Sequence, residues 1–399
     1  MKRHWQSMVG RSIPPDPLRS QADWRQRFTV SYQAGPLNDP SRIERLRGSR
    51  AMSEVDGILI SDEIHIRYLT GFTGDSTYLL VTAGEAVMLS DRRYETQLAQ
   101  ECPDLATSIR GPERKMIDLV RDAVGSLSLT RLGLEAAAIT WETQRSFAET
   151  LQGTDLIAVG DPVGELRMVK DGSEIAILRR AVWIAERAFE SVTAKLRPSL
   201  TELQIAHELE ATIRELGGEG CGFPPIVGAG ASGALPHYRP GDISIGGSKT
   251  LLIDWGAKYC GYTSDLTRTL HCDHPPAGFE EAYEAVLAAH SAALAALRAG
   301  VKTKDVDAVA RQVLCDASLG PQFKHGLGHG IGLRIHEAPR MAVTSEETLQ
   351  AGMVVTIEPG VYFERRFGIR IEDDVLVTPT GCVLLSSLPR ELDACRFAM

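Results

Sequence analysis

The chain has 399 residues, 43% of them hydrophobic and 24% charged, and no tract of biased composition. This length exceeds one ordinary hydrophobic core and predicts two domains. The net charge of −9, from 43 basic and 52 acidic residues, argues against nucleic acid or an anionic membrane surface as a partner, because both require a basic face. No apolar run approaches the roughly 18 residues of a membrane-spanning helix. No apolar segment follows the basic start, so a secretory signal is not expected.

The seven cysteines are odd in number and scattered, and no two form a Cys-x-x-Cys pair. They lie at positions 102, 221, 260, 272, 315, 382 and 395. This usage indicates a reduced, cytoplasmic chain in which the cysteines are small core residues.

Residues 1–40 contain five prolines among mixed charges and show no apolar periodicity, which predicts an extension lying over the surface. From 41 to 163, short apolar runs alternate with helical stretches and predict a small α/β domain. The expected strands are 57–60, 78–81 and 156–159, and the expected helices are 115–124 and 141–151.

Residues 164–399 read as a second domain, in which two helices, strands, two helices and strands follow one another. A long amphipathic helix is predicted over 174–193, and a capping box of Thr201 and Gln204 begins another that ends near 217–218. The second pair of helices is predicted at 278–298 and 304–317, and the strand-rich segments are 250–272 and 353–385. The order hints at a duplicated half.

Two aspartates lie in the first strand-rich segment. Asp254 follows three apolar residues, an unfavourable place for an unpaired carboxylate. Gly256 and Gly261 bracket a turn, so the segment can form a hairpin with Asp254 and Asp265 on facing strands. Two such carboxylates repel unless a cation, a proton or an arginine lies between them. The alternative is a plain hairpin in which Asp265 pairs with Arg268.

Three of the ten histidines, His325, His329 and His336, fall within twelve residues and are interleaved with four glycines. Glycine lets the backbone approach a ligand closely, and histidine is a frequent ligand and proton carrier. This segment therefore indicates a functional site.

Glu358 ends one apolar strand and Glu372 lies within another, so the two can face each other across a second hairpin. Four carboxylates buried together with a histidine require roughly four positive charges, which two divalent cations supply. Oxygen-rich ligation with one imidazole suits Mn²⁺, Co²⁺, Fe²⁺ or Zn²⁺ rather than a thiolate site.

The run at 228–233, Gly-Ala-Gly-Ala-Ser-Gly, satisfies the dinucleotide-binding fingerprint. That fingerprint requires its last glycine to open a helix. Pro236 and Pro240 follow within seven residues, so no helix is expected, and the segment is interpreted as a loop that carries His237 towards the site.

The chain resembles the pita-bread metallopeptidases at five residues that correspond to metal ligands of that family. Asp254 and Asp265 are eleven residues apart, His329 follows, and Glu358 and Glu372 are fourteen apart. Further phrases resemble the branch of Xaa-Pro aminopeptidases and Xaa-Pro dipeptidases (prolidases), namely residues 68–74, 91–94, 236–238, 329–333, 336–339 and 357–360. The resemblance implies a creatinase-like α/β N-terminal domain at 41–163 and an α+β pita-bread catalytic domain at 164–399, and it leaves the extension at 1–40 without a counterpart.

The resemblance also implies roles in hydrolysis of the bond before proline. Asp254 would bind one metal ion, His329 and Glu358 the other, with Asp265 and Glu372 bridging both, and manganese as the expected metal. A shared hydroxide would attack the carbonyl carbon.

Beyond these ligands, Glu358 would move the proton, and His336 and His237 would donate hydrogen bonds to the oxyanion or the proline side. His325 would line the substrate pocket. Arg370 would orient Glu372 or meet a substrate carboxylate, with a structural ion pair as the alternative.

Several alternatives stay open at this point. They are another hydrolase on the same metal site, a lyase acting on dimethylsulfoniopropionate, a creatinase-like or non-catalytic relative, and a methionine-type aminopeptidase. Gly256 stands where the lyase has an additional acidic residue, the five ligands are complete, and a full N-terminal domain precedes the catalytic one. The resemblance further implies a proline-containing peptide as substrate and a homodimer.

Overall fold

The computed structural model describes residues 39–397. The chain begins there with two short helices, α1 (Pro40–Arg47) and α2 (Arg50–Ser53). The predicted extension at 1–40 lies outside the described residues except for Asp39 and Pro40. The domain boundaries at 40/41 and 163/164 stay predictions.

The first half is built on a six-stranded mixed sheet with strand order β4-β3-β2-β1-β5-β6. Its strands are β1 (Gly57–Ile60), β2 (Tyr78–Thr82), β3 (Ala86–Asp91), β4 (Ala106–Arg110), β5 (Arg131–Glu135) and β6 (Asp155–Val159). Strand β1, near the middle of this sheet, is buried along its whole length, as expected of an apolar run covered on both faces. The three predicted strands are confirmed, and β3, β4 and β5 are additional.

Five helices connect and flank these strands, and the two predicted ones are confirmed to within two residues. The helices are α3 (Glu63–Thr70), α4 (Glu95–Glu101), α5 (Met116–Ser126), α6 (Trp141–Thr150) and α7 (Pro162–Met168). A buried ion pair links this half to the start of the second half, because Arg42 donates to Asp171 Oδ2 at 2.7 Å and to the Tyr68 carbonyl at 2.9 Å.

The second half has the predicted order of two helices, strands, two helices and strands. Its helices are α8 (Gly172–Thr193), α9 (Glu202–Glu215), α10 (Phe279–Ala296) and α11 (Thr303–Asp316). The capping box of Thr201 and Gln204 begins α9 as predicted. Within residues 39–397, no helix is both long and apolar enough to cross a membrane.

The strands between α9 and α10 form two three-stranded sheets, ordered β11-β10-β7 and β12-β9-β8. They are β7 (Gly220–Cys221), β8 (Ile226–Ala229), β9 (Thr250–Trp255), β10 (Ala257–Tyr259), β11 (Tyr262–Thr263) and β12 (Leu266–His271). Strands β9 and β12 are antiparallel, with Asp254 opposite Thr267, so the predicted hairpin is confirmed.

The strands after α11 form a five-stranded sheet, β14-β13-β15-β18-β19, and a separate hairpin of β16 and β17. They are β13 (Gly328–Gly330), β14 (Glu337–Met341), β15 (Val354–Ile357), β16 (Gly360–Phe363), β17 (Phe367–Arg370), β18 (Asp373–Val377) and β19 (Cys382–Leu384).

Trp255 fixes the strand that carries Asp254. Its indole stacks on Phe189 of α8 with ring centroids 4.3 Å apart, and its Nε1 donates to the Ala185 carbonyl at 2.9 Å. A fully buried aromatic residue stabilises a strand through the apolar area that it buries, and a hydrogen bond from its N–H also fixes its orientation. The neighbouring Asp254 is thereby held at the end of β9.

Candidate active site

All of the residues predicted for the site line one cavity of about 560 Å³. The strand ends around it supply the carboxylates. Asp254 is near the end of β9, and Asp265 directly precedes β12 on the facing strand. Glu358 directly follows β15, and Glu372 directly precedes β18, which pairs with β15. The expectation that Glu358 and Glu372 lie across a strand pair is thus confirmed.

Three groups approach one another most closely. One ligand atom each from Asp265, His329 and Glu372 lies within 4.8 Å of the others. His329 Nε2 is 3.6 Å from Asp265 Oδ2 and 3.6 Å from Glu358 Oε1. The alternative in which Asp265 pairs with Arg268 is wrong, because Arg268 Nη2 instead binds Asp373 Oδ1 at 2.8 Å.

The ring of His329 has a defined tautomer. Its Nδ1 lies 3.1 Å from the carbonyl oxygen of Gly330, which can only accept, so Nδ1 carries the hydrogen. Burial lowers the pKa of His329 to about 4, so the ring is neutral and Nε2 presents a lone pair. That lone pair faces two carboxyl groups, an arrangement that is favourable when a proton or a metal cation lies between them.

The carboxyl groups of the site also have too little positive charge around them to be ionised together. Burial, reinforced by mutual repulsion, raises the pKa values of Asp265 and Glu372 well above their usual range. Burial likewise raises the pKa of Glu358 to about 8. Within the described part of the chain, Oδ1 of Asp254 and Oδ1 of Asp265 are buried without a hydrogen-bond partner. The donor set therefore fits oxygen-preferring divalent cations.

Arg370 supplies the positive charge that the site already contains. Its side chain is 3% exposed, and its Nη2 donates to Asp254 Oδ2 at 2.5 Å. Its Nε donates to Thr267 Oγ1 at 3.0 Å, and its Nη1 donates to the Tyr362 hydroxyl at 2.8 Å. Each arm of the guanidinium thus has a protein acceptor.

Thr267 and Tyr362 were not singled out from the sequence. Thr267 Oγ1 donates to Glu372 Oε2 at 2.6 Å while accepting from Arg370. A signal for Thr267 exists, because residues two apart on a strand face the same side and Thr267 is two residues after Asp265. Tyr362 carries no comparable local signal.

His336 and His325 lie close to the residues that are predicted to bind metal. The His336 ring lies edge-on to His329 with centroids 4.3 Å apart. The Nδ1 of His325 lies 2.8 Å from the Gly326 carbonyl, and its Nε2 lies 2.9 Å from the Tyr362 hydroxyl. Burial lowers the pKa of His325 to about 4, so Nδ1 donates and Nε2 accepts from the tyrosine. Both ring nitrogens of His325 therefore have partners within the protein, and the ring lines the pocket without a free N–H.

The loop carrying His237 is held by Glu202, a buried residue at the start of α9. Its Oε1 accepts from the Ala229 amide at 2.8 Å, and its Oε2 accepts from the Tyr238 hydroxyl at 2.8 Å and from the Gly241 amide at 3.2 Å. The segment Gly230–Ala234 forms a 3₁₀ turn and no α-helix. The interpretation of the glycine-rich run as a loop is confirmed.

Two glycines around His329 let neighbouring strands approach closely, while their role in letting the backbone approach a ligand stays a prediction. A Cβ at Gly328 would lie 2.1 Å from the Thr356 carbonyl oxygen, and one at Gly330 would lie 2.2 Å from the Ala338 carbonyl oxygen. Both glycines therefore allow β13 to pack closely between β14 and β15.

Comparison with known proteins assigns the chain to a family. Residues 176–379 match the sequence model of metallopeptidase family M24, and residues 42–169 match that of the creatinase/prolidase N-terminal domain. The chain is 31% identical to an Xaa-Pro dipeptidase of Pyrococcus furiosus over 352 residues, which cover 88% of this chain and 99% of that protein.

Solved structures give the same assignment. An Xaa-Pro dipeptidase from Bacillus anthracis is 35% identical with a TM-score of 0.85, covering 88% of this chain and 98% of that one. An X-Pro aminopeptidase from Thermotoga maritima is 35% identical with a TM-score of 0.81, covering 89% and 99%. The predicted fold class is confirmed. The chain belongs to metallopeptidase family M24, with a creatinase-type N-terminal domain before a pita-bread catalytic domain.

Proposed function

We propose that this metallopeptidase hydrolyses the bond between an N-terminal residue and proline, with two divalent metal ions held by Asp254, Asp265, His329, Glu358 and Glu372. The observation that carries the proposal is the neutral His329, whose Nε2 lone pair lies 3.6 Å from an oxygen of Asp265 and 3.6 Å from one of Glu358. Four carboxylates against the buried guanidinium of Arg370 leave room for further positive charge.

The ligands divide as the family resemblance implies. Asp254 would hold one ion, His329 and Glu358 would hold the other, and Asp265 and Glu372 would contribute to both. When bound, such ions polarise a carbonyl group and acidify water. Manganese is the metal we propose first, since oxygen donors dominate the set.

The chain's own groups supply proton transfer and orientation. Glu358 directly follows β15, and its Oε1 is 3.6 Å from His329 Nε2, a position that suits a group that takes a proton and returns it to the leaving nitrogen. His336 and His237 line the cavity and donate hydrogen bonds to the oxyanion or to the proline side.

Proline substrates suit such a site. An Xaa-Pro bond lacks the N–H that peptidases reading an extended backbone require. A site that grips the amino terminus and the carbonyl does not depend on that N–H. The similar structures include both a dipeptidase and an aminopeptidase at equal identity, so identity does not distinguish the two activities. The argument for one substrate length therefore comes from the residues of the pocket.

Two arginines line the described pocket, Arg370 and Arg340. Every arm of Arg370 is engaged by the protein, whereas Arg340 is exposed on β14. Of the two, Arg340 is the better placed to meet the carboxylate of a dipeptide. This favours dipeptidase activity over cleavage of longer peptides.

The test offers Ala-Pro and Ala-Pro-Ala to the Mn²⁺-loaded protein, with and without chelator, and identifies products by mass. Ala-Ala is the control for proline preference. Chelator-sensitive release of alanine from Ala-Pro alone supports the dipeptidase, and release from the tripeptide makes it an aminopeptidase. Arg340→Met should raise the KM for Ala-Pro and leave any tripeptide KM unchanged. No chelator-sensitive cleavage of either peptide would overturn the proposal and favour another substrate.

We also propose a homodimer in a reducing, cytoplasmic setting. The latter is supported by the seven cysteines, all of which are unpaired in the described structure. Light scattering after size-exclusion chromatography tests the dimer, since a monomeric mass would contradict it.

A further inference from the structure

Glu337 is a buried acid held by two buried cations. Its Oε1 accepts a hydrogen bond from Lys170 Nζ at 2.7 Å, and its Oε2 pairs with the Arg167 guanidinium. The two cationic side chains are 1% and 4% exposed. Although burial acts in the opposite direction, Lys170 and Arg167 lower the pKa of Glu337. Burying three charges is costly, so the arrangement invites a functional explanation.

The two cations come from the junction between the halves of the molecule. Arg167 lies in the last turn of α7, and Lys170 precedes α8 by two residues. Arg167 lies near the end of the first family match, at 169, and Lys170 lies in the gap before the second match begins at 176. Glu337 is thus tied to the place where the N-terminal domain meets the catalytic one.

The carboxylate of Glu337 also shapes the loop before it. A Cβ at Gly332 would lie 2.5 Å from Glu337 Oε1, so the glycine backbone packs directly on the carboxylate. The Arg334 amide lies 3.4 Å from Glu337 Oε2, and the Arg334 guanidinium pairs with Asp62 at the start of α3. The conformation of the loop 332–337 therefore depends on its contacts with the Glu337 carboxylate.

His336 is the residue that this loop delivers. It precedes Glu337, lines the cavity and packs its ring against that of His329. In residues 39–397, no group makes a hydrogen bond to its imidazole, so its position follows from the backbone that carries it. A group that must aim a hydrogen bond at the reacting atoms needs that backbone fixed, because misplacement by about 1 Å can cost 100-fold in rate.

We propose that Lys170 and Arg167 are positioning residues of the peptidase: through Glu337 they hold His336 over the reacting atoms. The N-terminal domain junction is thereby part of the catalytic apparatus. This inference rests on the proposed function in one respect, namely that His336 takes part in the reaction.

A double-mutant cycle tests the coupling. Glu337→Gln and His336→Ala are each expected to lower kcat by about 10- to 100-fold with little change in KM. Glu337→Gln in the His336→Ala background should then cost no more than about twofold, because the group it positions is absent. Losses that multiply in the double variant would overturn the proposal. Lys170→Arg keeps the charge and should recover most of what Lys170→Met loses.

Asp91 offers a matched control. It is also a buried acid with two cationic partners, Arg93 and Arg110, but it lies in the first sheet. Asp91→Asn should leave kcat within about twofold in either background. An equal loss of kcat in Asp91→Asn and Glu337→Gln would mean a general loss of stability and would contradict positioning.

A spectroscopic readout separates this inference from the proposed function. In ¹⁵N-histidine-labelled, Zn²⁺-loaded protein, His336→Ala assigns the His336 ring signals. Glu337→Gln should shift or broaden those signals, whereas Asp91→Asn should not. Unchanged His336 signals in a folded Glu337→Gln protein would overturn the positioning role, even if neither proline peptide proves to be a substrate.

Discussion

The guanidinium of Arg370 donates a hydrogen bond to Asp254 Oδ2 at 2.5 Å, and both side chains are buried at the bottom of the cavity. This pairing joins the end of β17 to the end of β9. It neutralises one of the four carboxylates of the site before any cation arrives.

Arg370→Met should therefore destabilise the metal-free protein. Removing one partner of a buried pair leaves the other charge uncompensated, at a cost of about 3–5 kcal/mol. Urea unfolding in the presence of chelator measures the loss, and Mn²⁺ should recover part of it by compensating Asp254. Arg370→Lys is the matched control, because it keeps the charge and loses the three-armed geometry. A loss of less than about 1 kcal/mol would mean that the pair contributes no more than a surface ion pair.

Substitution of a ligand should separate activity from folding. Glu358→Gln is expected to lower kcat by about 10²–10⁴-fold, since proton transfer by that group is lost, and Asp254→Asn by a similar factor. Above about pH 8, where Glu358 is ionised, the metal-free Glu358→Gln protein should melt at the same or a higher temperature, because one repelling carboxylate has been removed. Activity within a few-fold of the wild type in either variant would contradict the two-metal mechanism.

The stability of the metal-free protein should fall as pH rises. Burial raises the folded-state pKa of Glu358 from 4.5 to about 8. Such a group contributes stability that is fully present below the unfolded pKa and is lost as pH rises through the folded pKa. With chelator, the melting temperature should decline between about pH 4.5 and pH 8.

Metal binding should reverse this trend, because bound cations require the deprotonated carboxylates and their binding releases protons. The rise in melting temperature on adding Mn²⁺ should be larger at pH 8 than at pH 5.5. Calorimetry in buffers of different ionisation enthalpy counts the protons released. An Mn²⁺ effect independent of pH would show that the site carboxylates are already ionised in the metal-free protein.

The loop that carries His237 depends on Glu202, which accepts three hydrogen bonds from it. Glu202→Gln places an amide NH₂ against a donor, and each lost bond to a charged group costs about 1.5–3 kcal/mol. We expect a lower melting temperature and a lower kcat in this variant. Tyr238→Phe removes one of these donors only and should cost no more than a single such bond, about 1.5–3 kcal/mol. A larger effect in Tyr238→Phe than in Glu202→Gln would place the loop's anchor elsewhere.

Three of the five proposed metal ligands have a local signature in the sequence. Asp254, Glu358 and Glu372 interrupt or end apolar strands, where an unpaired carboxylate is unfavourable. Strand β1, near the middle of the first sheet, was predictable because an apolar run marks it. Strand β4 (Ala106–Arg110) was not, because it is an edge strand whose side chains are exposed or half-buried and no apolar run marks it.

The hydrogen bonds and ion pairs around the proposed ligands could not be predicted from the sequence, for a different reason. The partner of Asp254 is 116 residues away in the chain, and the partner Lys170 of Glu337 is 167 residues away. Such pairs are created by tertiary packing and leave no periodicity in either segment. The purpose of Gly328 and Gly330 also depends on strands that approach from elsewhere in the chain.

The close packing at those two glycines limits how the enzyme can be redesigned. The strand with His329 is confined on both sides by main-chain carbonyls, so even a methyl group at Gly328 or Gly330 would displace a neighbouring strand. Libraries aimed at new substrates should leave this strand untouched. The wall formed by Phe223 and Ile226 also lines the cavity but supplies no ligand. Variation for altered substrate preference therefore belongs there.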